Sequence, residues 1–307
     1  MPLDPKAQEM LDASNKSTNP PVWTLPIDQA RTVMYNRFVN PNRILEDMAS
    51  IEDSFIPCLW GNMPIRIYRP SNIKKKGCLL FFHGGGFSLN CIETHESLCR
   101  ILANKTERVV ISVEYRLAPE HKFPALIEDA IDAAQWVYDN SGSLGIDNKR
   151  IAVCGDSGGA LQSTVVCLYF RNRGGIKLEK QVLVYPPTDY YFPGTKSLVD
   201  NDKFSLVNRD FGIWAWNNYI DMPIDLDNQY LCPLRGKDFS NLPPALVITA
   251  EYDPLRDEGE QYAEKMKRDG TSVKLTRYNG MMHGFLMMSH VFQQAKDALN
   301  EIAEFLD

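Results

Sequence analysis

The chain has 307 residues, with 33 Lys and Arg against 39 Asp and Glu, a formal net charge of −6. That balance excludes a nucleic-acid partner, because phosphate binding needs clustered Lys and Arg. At 44% hydrophobic and 23% charged residues the chain can bury a sizeable core and shows no disorder signature.

The opening residues Met1 to Pro5 hold an acid and prolines where a secretory leader needs a basic start and an apolar core. No run of about 18 apolar residues occurs, so no stable membrane insertion is expected, and the cytoplasm is the expected location. Seven cysteines scattered from Cys58 to Cys232 without C-x-x-C spacing suggest reduced thiols, with neither a disulfide framework nor a zinc site. No metal or cofactor is expected. The chain reads as one domain, 1–307, with attached cap segments at about 1–45 and 190–235.

Residues 1 to about 45 look partly helical. Strands are expected near 55–60 and 65–69, too close for an intervening helix and therefore antiparallel. Lys74-Lys75-Lys76, the only basic run of its length, reads as a solvated turn. Further strands are expected near 78–83, 109–114, 150–155, 181–186, 245–250 and 273–278. Between them, Leu126, Ala130, Ala133, Ala134 and Val137 recur at helical spacing over Ala125 to Tyr138. Such alternation predicts a mostly parallel sheet with helices on both faces. The segment from about 190 to 235 interrupts it with Phe204, Phe211, Trp214, Trp216 and Tyr219, which could form an apolar lid or simply pack a cap onto the core.

Three loops carry chemistry. Ser157 lies in Gly155-Asp156-Ser157-Gly158-Gly159 directly after the apolar run Ile151 to Cys154, the signature of a nucleophile on a sharp strand-to-helix turn. His83-Gly84-Gly85-Gly86-Phe87 follows the run Cys78 to Phe82 and offers closely spaced, unobstructed N–H groups. With the N–H of Gly158, those of Gly85 and Gly86 form a candidate oxyanion hole. A phosphate-binding glycine loop is disfavoured, since neither a Lys-Ser/Thr pair nor G-x-G-x-x-G spacing is present.

A serine hydroxyl needs a general base, and that base needs an orienting partner. Of the five histidines, His283 in Asn279-Gly280-Met281-Met282-His283-Gly284-Phe285 follows a strand and sits in a turn-like stretch. Asp253, after the buried-looking run Ala245 to Ala250, is the favoured partner, with Glu251, Asp257 and Glu258 as competitors.

With Tyr115-Arg116-Leu117-Ala118-Pro119-Glu120, Asp253-Pro254-Leu255-Arg256-Asp257 and His283-Gly284-Phe285 added to these motifs, the chain resembles the hormone-sensitive-lipase-like branch of α/β-hydrolase esterases. The resemblance implies an α/β-hydrolase fold: an eight-stranded, mostly parallel sheet with helices on both faces and a helical cap. It implies a serine esterase using Ser157, Asp253 and His283 on a small-molecule ester, and a homodimer formed through the last strand, near Val273 to Tyr278. One departure stands out: the family usually places alanine and then two glycines after the nucleophile, whereas this chain has Gly158-Gly159-Ala160. Glycine aims its N–H less rigidly, and Ala160 could crowd the helix start, so turnover slower than the family norm is expected.

Two other readings compete. A trypsin-like protease shares Gly-Asp-Ser-Gly-Gly, but its histidine and aspartate precede its serine on a β-barrel type of fold. A non-catalytic small-ligand receptor on the same fold is the remaining alternative, because fold does not fix function.

Overall fold

The computed structural model describes residues 1–41, 43–73, 76–205 and 207–307. In chain order, α1 (Pro5–Lys16) and α2 (Ile27–Phe38) precede a hairpin of β1 (Ser50–Cys58) and β2 (Gly61–Arg69). Then come β3 (Cys78–Phe82), α3 (Ile92–Thr106), β4 (Val109–Val113), α4 (Ala125–Asp139), the short α5 (Ser141–Leu144), β5 (Ile151–Asp156), α6 (Gly158–Arg173) and β6 (Gln181–Val184). The chain continues through α7 (Lys196–Asp200) and α8 (Arg209–Tyr219), and ends with β7 (Ala245–Tyr252), α9 (Arg256–Arg268), β8 (Val273–Met282) and α10 (Gln293–Leu306).

Among the described residues, eight strands form one sheet in the order β1-β2-β4-β3-β5-β6-β7-β8. The pairs β1–β2 and β2–β4 are antiparallel, and every other pair is parallel. The central strands are buried along their whole length, which is why they read as unbroken apolar runs. Successive side chains point to opposite faces. Leu80, Phe82, Ile111, Val153 and Leu183 join Leu126 and Ala133 of α4 and Leu161 and Val165 of α6 in one core layer. Leu79, Phe81, Val110, Ala152 and Val182 join Leu98 and Leu102 of α3 and Leu299 and Ile302 of α10 in the other. Each fully buried Leu, Val or Phe stabilises the fold by roughly 1.5–3 kcal/mol relative to exposure. Parallel pairing also brings the carboxyl ends of β3, β5, β7 and β8 to one edge, where such sheets place their sites.

The segments expected to form a cap behave differently from one another. Helix α1 buries Ala7 and Leu11 beside Met281 and Phe285, so it is packed into the core next to the end of β8. Trp23 and Phe211 meet edge to face at 6.3 Å, joining the N-terminal segment to α8. Trp216 and Tyr219 of α8 are buried and lie 5.5 and 4.3 Å from the Phe87 ring, so these two aromatics pack α8 onto the core. Phe211 and Trp214 are half-buried.

Some boundaries differ from expectation. β1 starts at Ser50, β6 stops at Val184 ahead of Pro186-Pro187, and β8 runs on to Met282. Proline has no N–H to continue a ladder, which accounts for the early end of β6. Of the basic run, Lys74 and Lys75 lie outside the described residues, and Lys76 is exposed. All seven cysteines are free thiols. Among the described residues, no helix is long and apolar enough to cross a membrane.

Candidate active site

Ser157 occupies the turn between β5 and α6 with φ +52° and ψ −123°, a backbone conformation that a non-glycine residue adopts only where the surroundings enforce it. The enforcement comes from close approach. A Cβ on Gly159 would lie 1.9 Å from the Phe82 carbonyl oxygen, and one on Gly155 would lie 2.2 Å from the Gly159 carbonyl carbon. Only glycine fits at either position. The Ser157 N–H donates to Val184 O at 2.9 Å, which ties the turn to the neighbouring strand.

His283 follows the last residue of β8, and Asp253 follows the last residue of β7. Those end residues, Tyr252 and Met282, pair with each other, so the two side chains emerge side by side at the sheet edge. His283 Nδ1 lies 2.8 Å from Asp253 Oδ2, and Nε2 lies 3.0 Å from Ser157 Oγ. A carboxylate accepts hydrogen bonds and donates none, so Nδ1 carries the proton and Nε2 is left to accept from the serine hydroxyl. Asp253 is fully buried, and its other oxygen accepts the Leu255 N–H at 2.8 Å. The Tyr185 ring lies 4.5 Å from the imidazole and packs against it.

The competing acids are engaged elsewhere. Glu251 binds the Met1 amine at 2.9 Å and the Gly280 N–H at 2.8 Å. Asp257 accepts from Arg256 and from the Ser197 N–H. Glu258 accepts the Thr188 N–H at 2.7 Å, and burial pushes its carboxyl up to about 8. Among the described residues, none of the remaining histidines hydrogen-bonds Ser157 Oγ: His121 and His290 are exposed, and His83 and His95 are buried in contacts of their own.

Gly85 and Gly86 sit at φ +138° and +57°, a backbone region that favours glycine, and a Cβ on Gly85 would reach within 2.1 Å of Leu89 O. Among the described residues, no protein acceptor takes the N–H groups of Gly85, Gly86 or Gly158. Donors without a protein acceptor are what a developing oxyanion would need, where losing one costs about 3 kcal/mol. Phe211 closes over this loop, since a Cβ on Gly86 would meet its ring at 2.8 Å. Ala160, at the start of α6, is buried in the core layer.

Two supports were not legible in the motifs. Asp156, the variable residue of the serine pentapeptide, accepts the Gly84 N–H at 2.9 Å and lies 3.2 Å from His95 Nε2. It thereby ties the serine turn to the glycine loop. Burial alone would raise its carboxyl, yet His95 and the Gly84 N–H outweigh that and hold it below the usual range. His83 is pushed down to about 3 by burial and by His95, so it stays neutral while Tyr115 donates to its carbonyl at 2.6 Å. The placement of Asp156 within the pentapeptide was the available signal, but its partners come from residues far apart in sequence. A cavity of about 650 Å³ is lined by Arg31, Tyr35, Asn90, Cys91, Glu114 and His121 among others, and neither Ser157 nor His283 borders it.

The sequence profile of the α/β-hydrolase fold matches residues 79–287, spanning the glycine loop, the serine turn and His283. The chain belongs to this family, in its hormone-sensitive-lipase-like branch. An arylesterase of Saccharolobus solfataricus is 38% identical over 290 residues, covering 93% of each chain. A carboxylic ester hydrolase of Mycobacterium tuberculosis, LipN, is 37% identical over 262 residues, covering 83% of this chain and 69% of its own. Among solved structures, a hyperthermophilic esterase from Pyrobaculum calidifontis superposes with a TM-score of 0.93 at 39% identity, covering 100% of this chain and 98% of its own.

Proposed function

We propose that this α/β-hydrolase is a serine carboxylesterase acting on esters of short to medium acyl length through an acyl-enzyme intermediate. The observation that carries the reading is the contact chain Ser157 Oγ, His283 Nε2 at 3.0 Å, and His283 Nδ1 to Asp253 at 2.8 Å. His283 takes the hydroxyl proton as Ser157 attacks the ester carbonyl. The carbonyl oxygen, now negative, accepts from the N–H groups of Gly85, Gly86 and Gly158. His283 then returns the proton to the departing alcohol. A water gives its proton to His283 and adds to the acyl group, which releases the acid and restores Ser157. Asp253 holds the imidazole in the tautomer that can accept, and stabilises its charged form.

The half-buried aromatics Phe211 and Trp214 suit an apolar acyl or alcohol group of modest size. The cytoplasm is the proposed location, on the scattered, unpaired cysteines. A homodimer through β8 also belongs to this reading, since β8 is an edge strand of the sheet. A non-catalytic receptor is not favoured, because ligand binding alone gives no reason to hold an imidazole between Ser157 and a buried carboxylate. Hydrolysis of p-nitrophenyl esters of graded acyl length by the wild type and Ser157→Ala separates the two.

A further inference from the structure

Arg31 lies in α2, far in sequence from every motif of the site, yet its guanidinium reaches the back of the glycine loop. Nε donates to Ser88 O at 2.9 Å, and Nη2 donates to Ala118 O at 3.0 Å. Nη1 and Nη2 also take the two oxygens of Glu120 at 2.8 and 2.7 Å. One planar group therefore holds two backbone carbonyls and a carboxylate at once. Both carbonyls belong to the frame that aims the oxyanion donors. The Ser88 and Leu89 N–H groups donate to Gly85 O at 3.2 and 2.9 Å, and the Ala118 N–H donates to Phe87 O at 2.9 Å. Gly85 and Gly86 are held from one side by Asp156 through the Gly84 N–H and from the other by Arg31 through Ser88.

We propose that Arg31 is a positioning residue for oxyanion stabilisation: from α2 it fixes the turn 85–89, so that displacement of this helix loosens the N–H groups of Gly85 and Gly86. The inference rests on the esterase reading above. Its consequence is a link between the N-terminal segment and turnover that does not pass through the Ser157, His283 and Asp253 side chains. The ion pair itself contributes little to stability, because its side chains are 31% and 47% exposed. The bonds to Ser88 and Ala118 are the part that acts. Lysine cannot replace them, since a point charge pairs with Glu120 but lacks the flat fork that serves three acceptors.

The test compares wild type, Arg31→Lys, Arg31→Met and Glu120→Gln on p-nitrophenyl butyrate, with binding of an alkyl trifluoromethyl ketone as the second readout. Ser157 adds to this ketone and places a negative oxygen among the loop donors. In Arg31→Met, kcat falls about tenfold, and the ketone binds weaker by the same factor. KM changes less than about threefold, and the pH midpoint of kcat/KM stays put because His283 and Asp253 are untouched. Arg31→Lys keeps most of the loss, whereas Glu120→Gln, which leaves both carbonyl contacts in place, loses less than about twofold. Unchanged kcat in folded Arg31→Met overturns the proposal. So does a fall in kcat without weaker ketone binding, or full recovery of kcat by Arg31→Lys. A folded wild type that neither turns over esters nor binds the ketone instead overturns the esterase reading, and the role of Arg31 falls with it.

Discussion

Tyr252 at the end of β7 pairs with Met282 at the end of β8, across a register irregularity that begins at Ala250. The residue that follows each strand is therefore Asp253 on one side and His283 on the other, meeting at 2.8 Å. Strand register, more than loop conformation, sets this contact.

Asp253→Asn tests what that contact does. The amide can offer an N–H where the carboxylate only accepts, and it then favours the imidazole tautomer with its proton facing Ser157. By analogy with serine proteases, kcat falls by about 10⁴ while the circular dichroism spectrum is unchanged. A loss of less than about tenfold in a folded variant would show that the carboxylate is dispensable.

Gly158 stands where the family resemblance leads one to expect alanine. An alanine Cβ there lies 3.3 and 3.4 Å from two carbons of the Phe87 ring, so the ring must yield by a few tenths of an ångström. Against that, replacing glycine at a helix start gains up to about 1 kcal/mol of backbone ordering. Gly158→Ala is expected to raise kcat about threefold, equivalent to roughly 0.6 kcal/mol of barrier, by fixing the N–H that follows Ser157. Steady-state kinetics with both enzymes decide it. Equal or lower kcat would mean that the glycine costs this enzyme nothing.

Much of this architecture is legible in the sequence, and the exceptions share a cause. Cys78 to Phe82, Val109 to Val113 and Ile151 to Cys154 announce themselves because strands buried on both faces are apolar throughout. The serine turn and the glycine loop are legible because close backbone approach excludes every other residue type there. The last four residues of β8 were not, since Asn279-Gly280 reads as a turn. Gly280, at φ +75°, instead stays within the strand, with its N–H on Glu251 and its carbonyl on Asp4. The contacts of Asp156 with His95 and of Arg31 with Ser88 are equally invisible, because nothing local encodes a meeting between residues about 60 apart.

Glu258 gives a pH signature. Burial raises its folded-state value from 4.5 to about 8, so the carboxyl stays neutral in the fold while the unfolded chain ionises. Its stabilising contribution is complete below pH 4.5 and is lost as pH rises towards 8, a change on the order of 4 kcal/mol. Glu258→Gln keeps an oxygen for the Thr188 N–H and has no charge to bury. Its melting temperature is expected to exceed that of the wild type by about 5 °C or more at pH 8, and to match it closely at pH 5. Differential scanning calorimetry at the two pH values checks this, and an identical difference at both would remove Glu258 from the account.

The role proposed for Ser157 is that of the nucleophile of an esterase. Its most direct measurement is release of p-nitrophenolate from acetyl, butyryl, octanoyl and longer esters by the wild type and by Ser157→Ala, with circular dichroism on both. Wild-type turnover is expected to peak at short to medium acyl length, and the folded Ser157→Ala protein to have activity lower by at least about 10⁴. Turnover retained in folded Ser157→Ala would contradict that role, as would a folded wild type inert towards every ester.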